Sequence, residues 1–284
     1  MTLRLEQFDS IDAVPAGHWE AAVANPHDMF MSRGFIRAVE LSMQADTRFR
    51  HVVFYDENRR PVGCACLSTY RVDGSLLAEG PSRSVVKVIG SVLPFLVFVN
   101  VALCGLPVSA GQSHLRLSPD VDVREALRLL DTALMQLARD HRAKVIVCKE
   151  FSATETTRFQ SLEDLGYQRA DSLPMNCTDP QFGSFDEYLA SLKSKRRSPI
   201  TRSQKKFAAS GMTVRQLWGG EGVDESYTDE VHQLYESVFN RAEVKFERLT
   251  PEFFRQLARQ LPENSRFTFV ERGGHVTAFA ASLY

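Results

Sequence analysis

The chain has 284 residues, 44% hydrophobic and 24% charged, with a formal net charge of −1 and an isoelectric point near 6.7. That length provides for two domains, each able to bury a core, and the charge balance excludes a globally basic nucleic-acid binder. The five cysteines, at 64, 66, 104, 148 and 177, are odd in number and lack a disulfide spacing, which points to a reducing cytoplasm.

Residues 3–8 alternate as a first strand, so no signal peptide is read at the start. Residues 14–24 and 32–43 have helical patterning; Pro26 separates them and Ser32 caps the second. Residues 49–55 and 62–70 are two strands joined by the polar turn DENRRP, a hairpin. Residues 82–93 are compatible with a helix. From 88 to 113 there is no charged residue, long enough for a membrane span, with 88–110 the one candidate. Pro94, Asn100, Gly105 and Pro107 interrupt it, and residues 95–104 read as a buried strand instead. A short strand is expected at 115–117, then an amphipathic helix over 122–141 with Val123, Leu127, Leu130, Leu134 and Leu137 on one face. A strand at 144–151, a helix at 154–165 stopped by Gly166, and an extended segment from Tyr167 follow. Strands and crossover helices in this order give a mixed α/β sheet fold.

The stretch 184–211 differs from the rest. Ser184 and Glu187 have capping-box spacing, and Ser198 before Pro199 is read as a second helix start. Gly211 is read as the stop. Lys193, Lys195, Arg196, Arg197, Arg202, Lys205 and Lys206 occur with no acid among them. Lys195, Arg196, Arg197 and Arg202 are therefore candidate anion-binding residues, for phosphates or RNA; a solvated helix face fits the same pattern.

An internal repeat is visible. Residues 49–70 align with 267–284, pairing Val53 with Phe267, Tyr55 with Phe269, Val62 with Val276 and Tyr70 with Tyr284. Each copy follows an amphipathic helix, SRGFIRAVEL and TPEFFRQLARQL. The first copy continues into strands and helices for which the second has no counterpart. The second domain is thus expected to be incomplete by roughly 100 residues, to be marginally stable, and to self-associate through an open edge at 275–284.

Nucleotide-loop, nucleophile-elbow and zincin motifs are absent, and the histidines at 18, 27, 51, 114, 141, 232 and 275 show no ligand spacing, so no metal is expected. Glu150, at the end of the strand 144–151, is the candidate catalytic base, with Lys149 as its partner; the two also fit a plain surface ion pair. Asn240, Arg241 and Lys245 are candidates to face an acceptor.

The residues Phe185, Tyr188, Leu189, Ser191, Leu192, Arg196, Arg197, Lys206, Phe207 and Gly211 resemble the middle of the FemAB-like, or CelD-like, branch of the GNAT acyltransferase superfamily. Leu165, Gly166 and Tyr167 look like the segment that precedes the last strands of that fold. Pro199 departs from the pattern. The resemblance implies tandem GNAT-like domains: a first over 1–180, a basic helical connector over 181–211, and part of a second over 212–284. It implies transfer of an acyl group from acyl-CoA, as co-substrate, to an amine acceptor. The small flexible loop of Ser109, Ala110, Gly111 and Gln112 is then the candidate cofactor-binding segment, although the usual Q/R-x-x-G-x-G/A is not there. The alternatives are an aminoacyl-tRNA-dependent transferase, with the basic stretch on RNA, and a non-catalytic binding module. No DNA partner is expected.

Overall fold

A computed structural model describes residues 2–73, 98–172, 181–242 and 247–284. The reading of 82–93 as a helix, the first part of the 88–110 segment, and Cys177 and Lys245 lie outside them. Among the described residues no helix is long and apolar enough to cross a membrane.

The first sheet contains β1 (Arg4–Phe8), β2 (Arg48–Tyr55), β3 (Pro61–Asp73), β4 (Phe98–Cys104), β5 (Leu115–Leu117) and β6 (Val145–Cys148). Its order is β1-β2-β3-β4-β6, with β5 also pairing β3. All pairs are antiparallel except β4 with β6, which run parallel from Val101↔Val145 to Cys104↔Cys148. The β2–β3 turn forms because the Asp56 carboxylate accepts from the amides of Asn58 and Arg60, at 2.9 and 2.8 Å.

Period-two alternation gives this sheet two apolar faces. Val52, Phe54, Ala65, Leu67, Ala102 and Cys104 pack on one core with α3 (Val123–Asp140), through Ala126, Leu127, Leu130, Leu134 and Leu137. Val53, Tyr55, Cys64 and Cys66 face the other core, which α1 (His18–Val23) and α2 (Arg33–Met43) cover. The expected helix over 14–24 is shorter than its pattern. Ile11–Ala13 is a 3-10 turn, and Pro15 and Gly17 delay the helix to His18. Ser32 caps α2, accepting from the Phe35 amide at 3.2 Å. The expected helix over 154–165 is divided into α4 (Ala153–Arg158) and a 3-10 segment, Gln160–Leu165.

After α5 (Phe185–Ser191) comes α6 (Ser194–Ala208), continuous through Pro199. The second start expected at Ser198 is therefore corrected: Lys193 is the N-cap and Pro199 sits inside the helix. Leu192, extended at the end of α5, makes the break instead. Pro199 lacks the amide that would reach the carbonyl of Lys195, and an exposed helix can leave that carbonyl to water. The capping box at Ser184 is half formed: Ser184 Oγ accepts from the Glu187 amide, but the Glu187 carboxylate accepts from Gly183 rather than Ser184.

A second sheet has the order β7 (Thr213–Trp218), β8 (Ser265–Arg272) and β9 (His275–Leu283), all antiparallel. Between β7 and β8 run α7 (Val223–Ser226), α8 (Asp229–Arg241) and α9 (Pro251–Gln260). The order strand, helices, hairpin thus repeats: β1-α1-α2-β2-β3 and β7-α8-α9-β8-β9. Phe267 and Phe269, the repeat partners of Val53 and Tyr55, are buried in the same core as those residues.

That shared core exists because α2 packs directly on α9. Phe35, Ile36 and Val39 meet Phe253, Phe254 and Leu257 there, and Tyr227 stacks on Phe254 at 4.8 Å. Gly34 makes the close approach; a Cβ there would lie 2.6 Å from the Gln260 carbonyl oxygen and 2.8 Å from Leu261. The opposite face of the second sheet has no covering helix among the described residues, and Val214, Trp218 and Tyr284 are exposed on that unit.

Gly34→Ala should destabilise the chain by about 1–3 kcal/mol, since a backbone carbonyl must move to admit the methyl group. Urea unfolding followed by the two tryptophans, Trp19 in the first unit and Trp218 in the second, tests this. One shared transition, shifted to lower urea in the variant, is expected from the common core; two separate transitions would contradict it.

Candidate functional site

The parallel pair β4–β6 ends in divergence. After Cys104 the chain turns away at Gly105, while β6 continues through Lys149 and Glu150 toward α4. Gly105 has φ +146°, and a Cβ on it would lie 3.0 Å from Lys149 Cε, so the bare backbone lets the lysine stem cross it. The Gly105 carbonyl accepts from Ser68 Oγ at 2.7 Å, which fixes the turn.

Three polar side chains meet beyond this point. Lys149 Nζ donates to Ser109 Oγ at 2.9 Å, and Ser109 Oγ donates to Glu150 Oε1 at 2.7 Å. Lys149 Nζ lies 3.5 Å from Glu150 Oε2, an ion pair. Glu150 Oε2 itself is buried and makes no hydrogen bond. Glu150 also has φ +65°, in the left-handed region, where a β-carbon costs about 1 kcal/mol or more. A strained backbone thus carries a carboxylate with one oxygen hydrogen-bonded to Ser109 and the other ion-paired with Lys149 but without a hydrogen bond.

The candidates at Glu150 and at Ser109, far apart in sequence, are brought together by the sheet. The rest of the loop, Ala110, Gly111 and Gln112, leads into β5 rather than into a helix, so no helix N-terminus stands behind it. Among the described residues the amides of Ala110, Gly111 and Gln112 donate to nothing in the chain.

Two neighbours were not singled out from the sequence. Glu247, from the segment before α9, is close enough to interact with Lys149 and Glu150. Burial pushes its carboxyl up and Glu150 adds to this, against the pull of its own backbone amide and of Lys149. The adjoining segment is tied down by the Leu249 amide, which donates to Tyr235 Oη at 2.9 Å. His114 lies buried with both ring nitrogens unpartnered. Burial, then Lys149, Arg116 and His51, lower its pKa to about 3. Its only sequence signal was a lone histidine in a loop, which has no ligand spacing.

Lys195, Arg196, Arg197 and Arg202 all stand exposed on α6, which buries no residue. Arg197 and Arg202 share a face with Ser198, Thr201 and Lys205, while Arg196 is turned about 100° from Arg197 toward Ile200 and Phe207. Among the described residues none of these cations forms an ion pair, and no hydrogen bond joins α6 to Glu150. The described residues hold no cluster of histidine, cysteine and carboxylate able to bind a metal ion.

A family model named FemAB-like and described as peptidoglycan biosynthesis/recognition matches residues 103–284. Proteins of two Mycobacterium tuberculosis strains that bear the name 8-amino-7-oxononanoate synthase 2 are each 26% identical over 185 residues, covering 64% of this chain and 23% of theirs. The chain thus spans about a quarter of the length of these curated relatives. Among solved structures, a tetramutant of the BH1408 protein of Bacillus halodurans has a TM-score of 0.37 at 11% identity, covering 63% of this chain and 99% of that one. A single mutant of the same protein gives 0.35 at 14% identity, with the same coverage.

His114 makes the fold sensitive to acid. Its pKa is about 3 when folded against 6.5 when free, so the unfolded chain binds the extra proton between these values. Stability from this group is complete above pH 6.5 and is lost as pH falls through that window, by about 2.5 kcal/mol at pH 4.5. His114→Leu should flatten that part of the stability profile, as measured by urea unfolding at pH 7.0 and 4.5. An unchanged slope in the variant would contradict the assignment.

Proposed function

The chain belongs to the FemAB-like family, described as peptidoglycan biosynthesis/recognition, and from that premise we propose that it transfers an acyl group from an acyl-CoA thioester to an amine. The observation that carries the reading is the Ser109–Lys149–Glu150 group where the β4–β6 pair opens. In open α/β sheets ligands bind beyond the carboxyl ends of parallel strands.

The chemistry follows from the geometry. Glu150 Oε2, buried and without a hydrogen bond, accepts the proton of the incoming amine. The nitrogen attacks the thioester carbonyl, the carbon–nitrogen bond forms, and the carbon–sulfur bond breaks with the electron pair leaving on sulfur. Ser109 orients the Glu150 carboxylate, and the Lys149 ammonium offsets the negative charge that develops on the carbonyl oxygen. The free amides of Ala110, Gly111 and Gln112 offer donors for the pyrophosphate.

A second reading, an aminoacyl-tRNA as donor, is favoured by α6: fifteen residues, none buried, with cations and no acid. Its Arg197, Arg202 and Lys205 face is suited to phosphates.

The two donors are separated by assaying transfer with acetyl-CoA, longer acyl-CoAs and charged tRNA. Glu150→Gln should lower turnover by about 100-fold or more while leaving donor affinity within a few-fold of wild type. Wild-type turnover in the variant would remove Glu150 as the base, and no turnover with any donor would leave a binding module. Replacing Arg197 and Arg202 together by glutamine should reduce the salt slope of tRNA binding by about 2 if RNA is held there, and leave acyl-CoA affinity unchanged. An unaltered slope would return α6 to a solvated helix.

A further inference from the structure

Beside the Lys149–Glu150 pair a cleft of about 730 Å³ opens along β6 and its continuation. One wall is the run Val145 to Phe151; the others are α3, α4, the Gln160–Leu165 segment and the chain that follows it over 166–172. Apolar surface dominates its lining. Phe159 and Leu162 form a buried floor, while Met135 and Val145 remain 46% exposed at the wall. At one side Tyr167 Oη donates to Asp131 Oδ1 at 2.8 Å, which satisfies the hydroxyl and keeps the ring in the wall. The transfer chemistry uses none of these residues, and Met135 and Val145 place two part-exposed apolar side chains in the lining of one cleft.

Shape and continuity restrict what that occupant can be. The volume lies in the ~300–1,000 Å³ range of sites that enclose a small molecule. The wall from Val145 to Cys148 is extended strand, roughly 10 Å long at ~3.3 Å per residue, and the lining continues through Lys149 and Glu150, so the space runs lengthwise along the strand. Lys149 and Glu150 belong to its lining, so a ligand lying along β6 ends at the group assigned to the transfer.

We propose that this cleft binds a long apolar acyl chain, with its activated carboxyl end toward Lys149 and Glu150, so that the protein selects long over short acyl groups. The proposal rests on the acyl-transfer reading and names its donor class. An apolar chain gains about fourfold in affinity per buried methylene, enough for a cleft of this length to dominate selection. Glu163 and Arg169 border the cleft, and their charges lie at the lining where a polar acyl group would profit; a plain hydrocarbon needs only the floor and the strand.

The test is calorimetric titration of the full chain with CoA thioesters of two, eight and twelve carbons and with free dodecanoate. Wild type should bind more tightly as the chain lengthens, by up to about fourfold per methylene, and should bind free dodecanoate more weakly than its thioester. Met135→Glu and Val145→Glu, both at exposed positions that tolerate a charge in folding, should remove at least tenfold of the twelve-carbon affinity and leave acetyl-CoA affinity unchanged. Equal affinity at every length, or a length dependence that both variants retain, would overturn the proposal. If acetyl-CoA is turned over without length preference, the cleft assignment fails and the transfer reading stands. If dodecanoate binds in a variant-sensitive way but no thioester is turned over, the cleft assignment stands and the transfer reading fails.

Discussion

The contact of α2 with α9 is the constraint on which the rest of the molecule depends. Each of these helices covers a sheet, and each is apolar on more than the stripe its own sheet can bury. Phe35, Ile36 and Val39 on one and Phe253, Phe254 and Leu257 on the other lie in a single buried cluster that crosses the seam. Gly34 sets how near the two can come. The consequence is one core that runs from Ile11 to Phe269, with the two repeats as its halves. Burial of this kind is the dominant favourable contribution to folding, so neither half keeps its stability apart from the other.

The same arrangement explains why the polar group sits where it does. The first sheet is closed on one face by α3 and on the other by α1 and α2, which leaves the strand ends as places where ligands can reach the backbone. At the β4–β6 end the two strands part, one at Gly105 and the other at Glu150. A gap between parting parallel strands exposes donors and acceptors that would otherwise be paired. Glu247, from the second unit, lies near enough to Lys149 and Glu150 for their charges to act on its carboxyl.

His51 and Glu40 show what the interior tolerates elsewhere. They are buried against each other beneath Trp19, and Glu40 Oε1 also accepts from the Ile11 amide at 2.9 Å. That pair is enclosed and largely satisfied, as structural polar groups are. Near Lys149, both ring nitrogens of His114 lack a hydrogen bond, as His51 Nδ1 does, and Glu150 Oε2 has only its ion pair with Lys149.

Local pattern alone determined much of the architecture. The alternation of Val52, Val53, Phe54 and Tyr55 specifies a strand buried on both faces, the spacing of Leu127, Leu130, Leu134 and Leu137 specifies α3, and the Ser32 and Thr250 caps start α2 and α9. These are short-range requirements, met by residues within a few positions of each other. The repeat was legible for the same reason, and so were Glu150 and the 109–112 loop as separate candidates. The sequence misplaced the start of α6, because a serine before a proline has the same local signature at a first turn as within a helix whose earlier turns are already formed. Tertiary structure decided the rest. That Ser109 bridges Lys149 and Glu150 depends on the register of β4 against β6. That Glu150 adopts a left-handed conformation, and that Glu247 and His114 stand near Lys149, depends on chain segments separated by tens of residues. No periodicity encodes such a meeting, because it is fixed by how sheets and helices pack, and packing is set by the whole core at once.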